Sequence, residues 1–304
     1  MQLNESPVET RPNYIQILSK TVKTGIIKSN LIPMVAGATL AIYTYQFTLA
    51  EKLFELIIAL IGTAFIIGGA GALNNYYDRD IDAIMKRTKD RPTVTGEIKP
   101  NQVLILSLLM CLVGLGLLAL TTPLAAFLGF LGIFFYIVPY TMWSKRRTVY
   151  NTEIGSISGA MPPLIGWAAI YPDVTHPAVL GLFIILVLWQ MPHFYAIAIR
   201  NHDEYKAANI PMLPVVKGVK RTYYQTNVYL LILVATSFLF RSLSLGLMLV
   251  SLLLSIIWIV LSLYGYRQMD SEKLAKWMFL YSLIYMTVLF STVIIYSLVG
   301  ILFP

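Results

Sequence analysis

Charge is scarce in this chain of 304 residues. Only 12% of them are Asp, Glu, Lys or Arg, about half the share of an ordinary globular domain. Set against 57% hydrophobic residues, that shortage excludes a water-soluble fold of this size. Cysteine is scarcer still: a single Cys111 excludes an intramolecular disulfide and a cysteine metal cluster, and its place inside an apolar run gives it a packing role. The first 25 residues are polar and carry Glu5 and Glu9. They lack both the short apolar stretch of a signal peptide and the acid-free pattern of a transit peptide, so the first helix is expected to insert uncleaved.

Long apolar runs are what the chain has instead. Runs near 20 residues recur along its length, which is about what a helix needs to cross a bilayer core of roughly 30 Å. Unpaired backbone groups are too costly in lipid for anything but helices or a closed barrel. Hydrophobicity here is continuous rather than alternating, which favours helices. Nine are predicted, over 26–46, 53–75, 102–121, 123–142, 153–171, 178–199, 223–240, 244–265 and 277–302. The expected fold is therefore all-α, a polytopic membrane protein with about nine transmembrane helices around a central cavity capped by cytoplasmic loops. Residues 1–25 are expected to form a cytoplasmic N-terminal segment and 26–304 a single transmembrane domain.

The net charge of +8 reports topology and implies no nucleic-acid partner. Of the 23 Lys and Arg residues, 20 fall before the first helix or in the segments after the even-numbered ones and Lys28 lies in the first turn of the first; only Lys52 and Arg241 fall on the other side. By the positive-inside rule the N-terminus and those loops are cytoplasmic and the C-terminus lies outside. Two cytoplasmic loops, 76–101 and 200–222, are long, hold seven of the 15 carboxylates and are not low-complexity. They are expected to be ordered caps over a site.

The sharpest signal is Asn74-Asn75-Tyr76-Tyr77-Asp78-Arg79-Asp80-Ile81-Asp82. In a helix Asn74, Asp78 and Asp82 share one face, about 6 Å apart per step. Magnesium prefers hard oxygen donors and is commonly held by one or two carboxylates together with substrate phosphate oxygens, so the row suits a metal bridging protein and diphosphate. For a single acid, a solvated helix end would be the better reading; three polar residues in register favour the metal. Arg87, Lys89 and Arg91 follow closely, and Arg87 and Arg91 as a pair would make charge-assisted bonds to phosphate oxygens. A second acidic cluster, Asp203 and Glu204 with Arg200 and Lys206 around it, could clamp the leaving diphosphate from the other side or simply be solvated. His193, in Trp189-Gln190-Met191-Pro192-His193-Phe194, lies within a span, where an ionisable residue is costly. Pro192 bends the helix there, and the imidazole either contacts substrate or bonds a neighbouring helix.

With these motifs the chain resembles the UbiA superfamily of membrane prenyltransferases, whose Asn-x-x-x-Asp-x-x-x-Asp hallmark is matched by Asn74, Asp78 and Asp82. Within it, the resemblance is to the haem-farnesylating branch. It rests also on Arg87-Thr88, Arg91-Pro92, Lys145-Arg146-Arg147-Thr148, Pro162-Pro163-Leu164-Ile165-Gly166-Trp167, Trp189-Gln190 with Pro192-His193-Phe194, and Ala207 to Pro214. The superfamily's second Asp-x-x-x-Asp motif is not intact, since Ala207 and Ala208 stand four residues after Asp203 and Glu204. The branch usually shows one acid followed by Tyr, as in Glu204-Tyr205.

The resemblance implies a Mg2+-dependent transfer of farnesyl from farnesyl diphosphate to a vinyl group of haem B, with water added, giving haem O. It implies that Asn74, Asp78, Asp82 and Glu204 hold the metal and that Arg87 and Arg91 hold the departing anion. Tyr76, Tyr77, Tyr136 and Tyr140 are available to stabilise an allylic cation, His193 to contact haem, and Arg200, Lys145 and Arg146 to hold its propionates. Membrane lipid surrounds such an enzyme, and haem A synthase or oxidase assembly proteins are its expected protein partners. The alternatives are a sister prenyltransferase acting on an aromatic acid or quinone precursor, a transporter and a haem-holding assembly factor. Acids gathered at cytoplasmic helix ends disfavour the transporter, and the Asn74, Asp78, Asp82 face has no use in an assembly factor.

Overall fold

A computed structural model describes residues 13–303; among them the secondary structure is helical, with no strand. The N-terminal segment expected over 1–25 lies in part outside the described residues. Within it Tyr14–Thr21 form α1, capped by the Asn13 side chain. The chain continues through α2 (Thr24–Thr44), α3 (Leu49–Tyr77), the short α4 (Arg79–Asp82) and α5 (Pro92–Thr95), α6 (Pro100–Thr121) and α7 (Pro123–Phe135). Next come α8 (Asn151–Gly159), α9 (Met161–Ile170), α10 (Pro177–Arg200), α11 (His202–Ala207), α12 (Leu213–Thr236), α13 (Leu245–Gln268) and α14 (Ser271–Leu302). Eight helices among the described residues are long and apolar enough to cross a membrane, which makes this a multi-pass membrane protein.

The fifth expected span, 153–171, is broken into α8 and α9 at Ala160. Pro162 and Pro163 have no N–H to offer the carbonyls of Ser158 and Gly159 four residues earlier, so one continuous helix cannot form. The Ala160 amide closes α8 on the Ser156 carbonyl at 3.1 Å, and Gln190 of α10 donates to that same carbonyl at 2.9 Å. Every residue of α9 is buried. It packs against α2 so tightly that a Cβ at Gly166 would lie 2.0 Å from the Met34 carbonyl oxygen, and one at Gly37 would lie 2.1 Å from that of Pro163. Glycine is what lets the two backbones touch.

Elsewhere α3 packs on α6, and α10 on α12 and α14. Cys111 of α6 is buried against Gly69 of α3, where an added Cβ would meet its sulfur at 2.7 Å. The two long segments expected to form caps are ordered. Residues 76–101 hold α4 and α5, and residues 200–222 hold α11 and the start of α12. That start lies ten residues before the expected boundary at 223. Lys217, Lys220 and Arg221 break the apolar run, and at Gly218 (φ 78°) the backbone leaves helical geometry, so the first turn from Leu213 is a separate helical piece joined to the long helix at a kink.

Candidate active site

The row at the end of α3 keeps its helical register although the helix pauses at Asp78. The Asp78 amide bonds the Asn74 carbonyl at 2.9 Å, and the Asp82 amide bonds that of Asp78 at 2.8 Å. Asn74, Asp78 and Asp82 are all buried, Asp78 completely. Burying bare carboxylates is costly unless each is paired, and each member of this row meets a cation from a different segment. Lys23, between α1 and α2, donates to Asn74 Oδ1 at 2.5 Å. Lys145 donates to Asp78 Oδ2, and Arg91 donates to Asp82 Oδ2 at 2.5 Å. Within the row, Asn74 Nδ2 donates to Asp78 Oδ2 at 2.8 Å and to Thr141 Oγ1 at 2.9 Å.

Lys145 and Thr141 reach the row because α7 runs on into a π-helical stretch, Tyr136–Trp143, with Pro139 inside it. The widened turn lets the Thr141 hydroxyl bond the Tyr136 carbonyl at 2.8 Å. Such turns are frequent at functional sites. Arg146, just after it, forks onto the exposed Asp80 at 2.6 and 2.7 Å and reaches Asp78 at 3.4 Å. The guanidinium holds the Asp80 carboxyl below its ordinary range.

The second cluster contributes unevenly. Glu204, on α11, accepts the Arg87 amide at 3.4 Å, so the two long segments meet there. Tyr205, next to it, is buried with Ile81 and Met85. Arg87 itself and Lys206 are exposed. The Asp203 side chain is fully exposed and pairs with His202 at 3.0 Å. Arg200 lies over the Phe279 ring, 5.5 Å from its centre. Among the described residues no three acidic, His or Cys side chains converge to hold a metal by themselves. The donor set is two buried carboxylates and an amide oxygen, which fits a magnesium ion whose coordination is completed by phosphate oxygens rather than by protein.

A sequence profile of the UbiA prenyltransferase family matches residues 30–284. The chain belongs to the UbiA prenyltransferase family. It is 71% identical over 288 residues, covering 95% of its own length and 94% of the relative's, to protohaem IX farnesyltransferase 1 of Bacillus cytotoxicus. Its fold is similar to that of a digeranylgeranylglyceryl phosphate synthase, with a TM-score of 0.73 at 16% identity over 93% of this chain and 98% of that one. It is also similar to a UbiA homologue from Archaeoglobus fulgidus bound to GPP and Mg2+, with a TM-score of 0.68 at 14% identity over 91% and 99% of the two chains.

Several residues of this UbiA-family site carry no sequence signal. Lys23 sits in Thr-Val-Lys-Thr-Gly and reads as one more topology-setting cation. It meets Asn74 from a left-handed backbone at φ 57°, which few residues other than Gly, Asn or Asp adopt. Burial, followed by the charges of Arg91 and Lys145, pushes its ammonium well below the ordinary lysine range. Glu153 of α8 was equally silent in the sequence: its Oε1 accepts from Tyr195 at 2.5 Å, Gln225 at 2.7 Å and Tyr229 at 3.1 Å, joining α8, α10 and α12. His193, half-buried on α10, bonds Ser282 of α14 through Nδ1 at 2.7 Å.

Proposed function

We propose that this protein transfers the farnesyl group of farnesyl diphosphate to a vinyl group of haem B, with addition of water, giving haem O. The observation that carries the diphosphate half is the buried row of Asn74, Asp78 and Asp82 with one cation on each member. The acceptor half is supported by 71% identity to a protein named for farnesylating protohaem IX. The rival acceptors, an aromatic acid or quinone precursor, have no such support.

Asn74, Asp78 and Asp82, with Glu204 from the facing cap, would hold magnesium, which supplies positive charge to the diphosphate oxygens and makes them a better leaving group. Lys23, Lys145 and Arg91, which bond the row oxygens here, would hold the departing diphosphate through charge-assisted bonds. Arg87 and Lys206 lie one on each of the two caps. Tyr136 and Tyr140 stack at 5.7 Å beside the row, where their faces favour an allylic cation. The vinyl carbon then bonds the farnesyl carbon that has lost diphosphate. Water adds at the other vinyl carbon and gives up its proton.

On the acceptor side, His193 and Arg200 stand seven residues apart on α10, about 10.5 Å of helical rise. Phe279 lies between them, 5.2 Å from the imidazole and 5.5 Å from the guanidinium. In this reading His193 contacts the haem and Arg200 binds a propionate at the cytoplasmic rim, with the N-terminus cytoplasmic and the C-terminus outside.

The test is incubation of the purified, detergent-solubilised protein with haem B, farnesyl diphosphate and magnesium, following pigment mass. A farnesyl-plus-water adduct that requires magnesium and disappears in Asp78→Ala is expected. Prenylation of an aromatic acid with none of haem would overturn the acceptor and keep the diphosphate site.

A further inference from the structure

His193 is held by more than one bond. Its ring lies nearly parallel to the Trp189 indole, with centroids 4.6 Å apart and planes 19° apart, and faces Phe279 at 5.2 Å and 32°. The Trp189 Nε1–H donates to the Ser282 carbonyl at 2.8 Å, so the stacking partner is itself anchored to the residue that meets Nδ1. With its ring faces against aromatic planes, the imidazole has only its edge left for chemistry.

Ser282 decides which nitrogen of that edge carries the proton. Its hydroxyl has one hydrogen, and that hydrogen is directed to the Phe279 carbonyl at 2.5 Å. Toward His193, 2.7 Å away, Ser282 Oγ can therefore only accept. The proton of the neutral ring is thereby placed on Nδ1, and the lone pair is on Nε2, which takes no hydrogen bond among the described residues. A neutral imidazole with Nδ1–H bonded away and Nε2 free is the form that ligates iron, and the partner of the distal nitrogen sets its orientation and basicity.

We propose that Ser282 is a positioning residue for the acceptor: by accepting the Nδ1–H it fixes His193 in the tautomer whose Nε2 binds the haem iron. This rests on the reading that His193 contacts haem, and it assigns a task to α14, where no sequence motif pointed. Trp189, in turn, fixes Ser282 through its backbone.

The experiment is titration of haem B into the full-length protein in detergent, without farnesyl diphosphate, read by the visible absorption of the bound haem. Wild type, His193→Ala, Ser282→Ala and Ser282→Thr are compared. Loss of an outer-shell partner of a ligating histidine typically costs about tenfold or more in metal affinity. Ser282→Ala is therefore expected to weaken haem binding by about tenfold and to shift the haem bands, and Ser282→Thr, which keeps the hydroxyl, to restore both. If His193→Ala binds haem with an unchanged spectrum, the underlying contact is absent and the proposal falls with it. If His193→Ala loses the spectrum while Ser282→Ala keeps it, the contact stands and the role of Ser282 is refuted. Equal losses in the Ala and Thr variants would make Ser282 a packing residue and would also refute it.

Discussion

Adding one methyl group at Gly166 should separate two helices that have no room to part. The new Cβ would lie 2.0 Å from the Met34 carbonyl oxygen, 2.9 Å from its carbon and 3.1 Å from the Ala38 nitrogen. These are backbone atoms, so no rotamer change relieves the clash. Opening 2.0 Å to the 3.4 Å of an ordinary contact moves α9 from α2 by 1.4 Å. A gap of about 1 Å already forfeits up to roughly half of the dispersion attraction across it, and every residue of α9 is buried. Overpacking typically costs about 1–3 kcal/mol, and Gly166→Ala should fall at or above the top of that range. The control is Gly116→Ala on α6, where nothing lies within 4 Å and helix propensity alone should stabilise by up to about 1 kcal/mol. The assay is the thermal midpoint of each variant in detergent, measured by loss of the monodisperse size-exclusion peak. Because α2 begins directly after Lys23, the apparent KM for the prenyl donor should rise in Gly166→Ala and stay constant in Gly116→Ala. A Gly166→Ala midpoint equal to that of wild type would refute the close-packed backbone contact.

Three further outcomes follow from the site. Asp78→Asn should destabilise by about 3–5 kcal/mol, since it leaves the Lys145 charge unpaired, and Lys145→Met by less, since Arg146 still reaches Asp78 at 3.4 Å; strictly additive losses in the double variant would show that the two groups do not interact. Lys23 binds fewer protons folded than unfolded between its depressed folded pKa and the ordinary lysine value. Stability should therefore rise with pH across that window, and the rise should be missing from melts of Lys23→Met; parallel curves for the two proteins would count against its burial beside Arg91 and Lys145. Tyr195→Phe removes a 2.5 Å bond to the Glu153 carboxylate, which should cost about 1.5–3 kcal/mol in thermal or denaturant melts, and an unchanged midpoint would mean that Gln225 and Tyr229 suffice.

Much of the frame is legible in the sequence, because lipid leaves the backbone few choices. The apolar runs located the helices, and the four-residue spacing of Asn74, Asp78 and Asp82 survived even the break at Asp78. The partners of that row were harder to read. Lys145 and Arg91 stood in recognisable motifs, but Lys23 depends on a left-handed backbone that the local sequence does not announce. Thr141 depends on a π-helical turn that shifts register by one residue. Pro162 and Pro163 were visible as a motif while the break they cause was missed, since a run of apolar residues scores alike whether its helix is one piece or two. The start of α12 was missed for the opposite reason: the turns on either side of the kink at Gly218 are helical but basic. Ser282 is one of many serines in apolar helices, and only its contact with His193 on another helix distinguishes it.

The burial of Cys111 against Gly69 also has a practical consequence. A thiol sealed between α3 and α6 is out of reach of maleimides while the protein is folded, so the native chain serves as its own unreactive background for site-directed labelling. Cysteines introduced one at a time at Asp203, whose side chain is fully exposed, and at Pro172, exposed in the turn before α10, would then react with a membrane-impermeant reagent from opposite faces of a sealed vesicle. That pair of labels would read the orientation of the chain without altering a single residue of its interior.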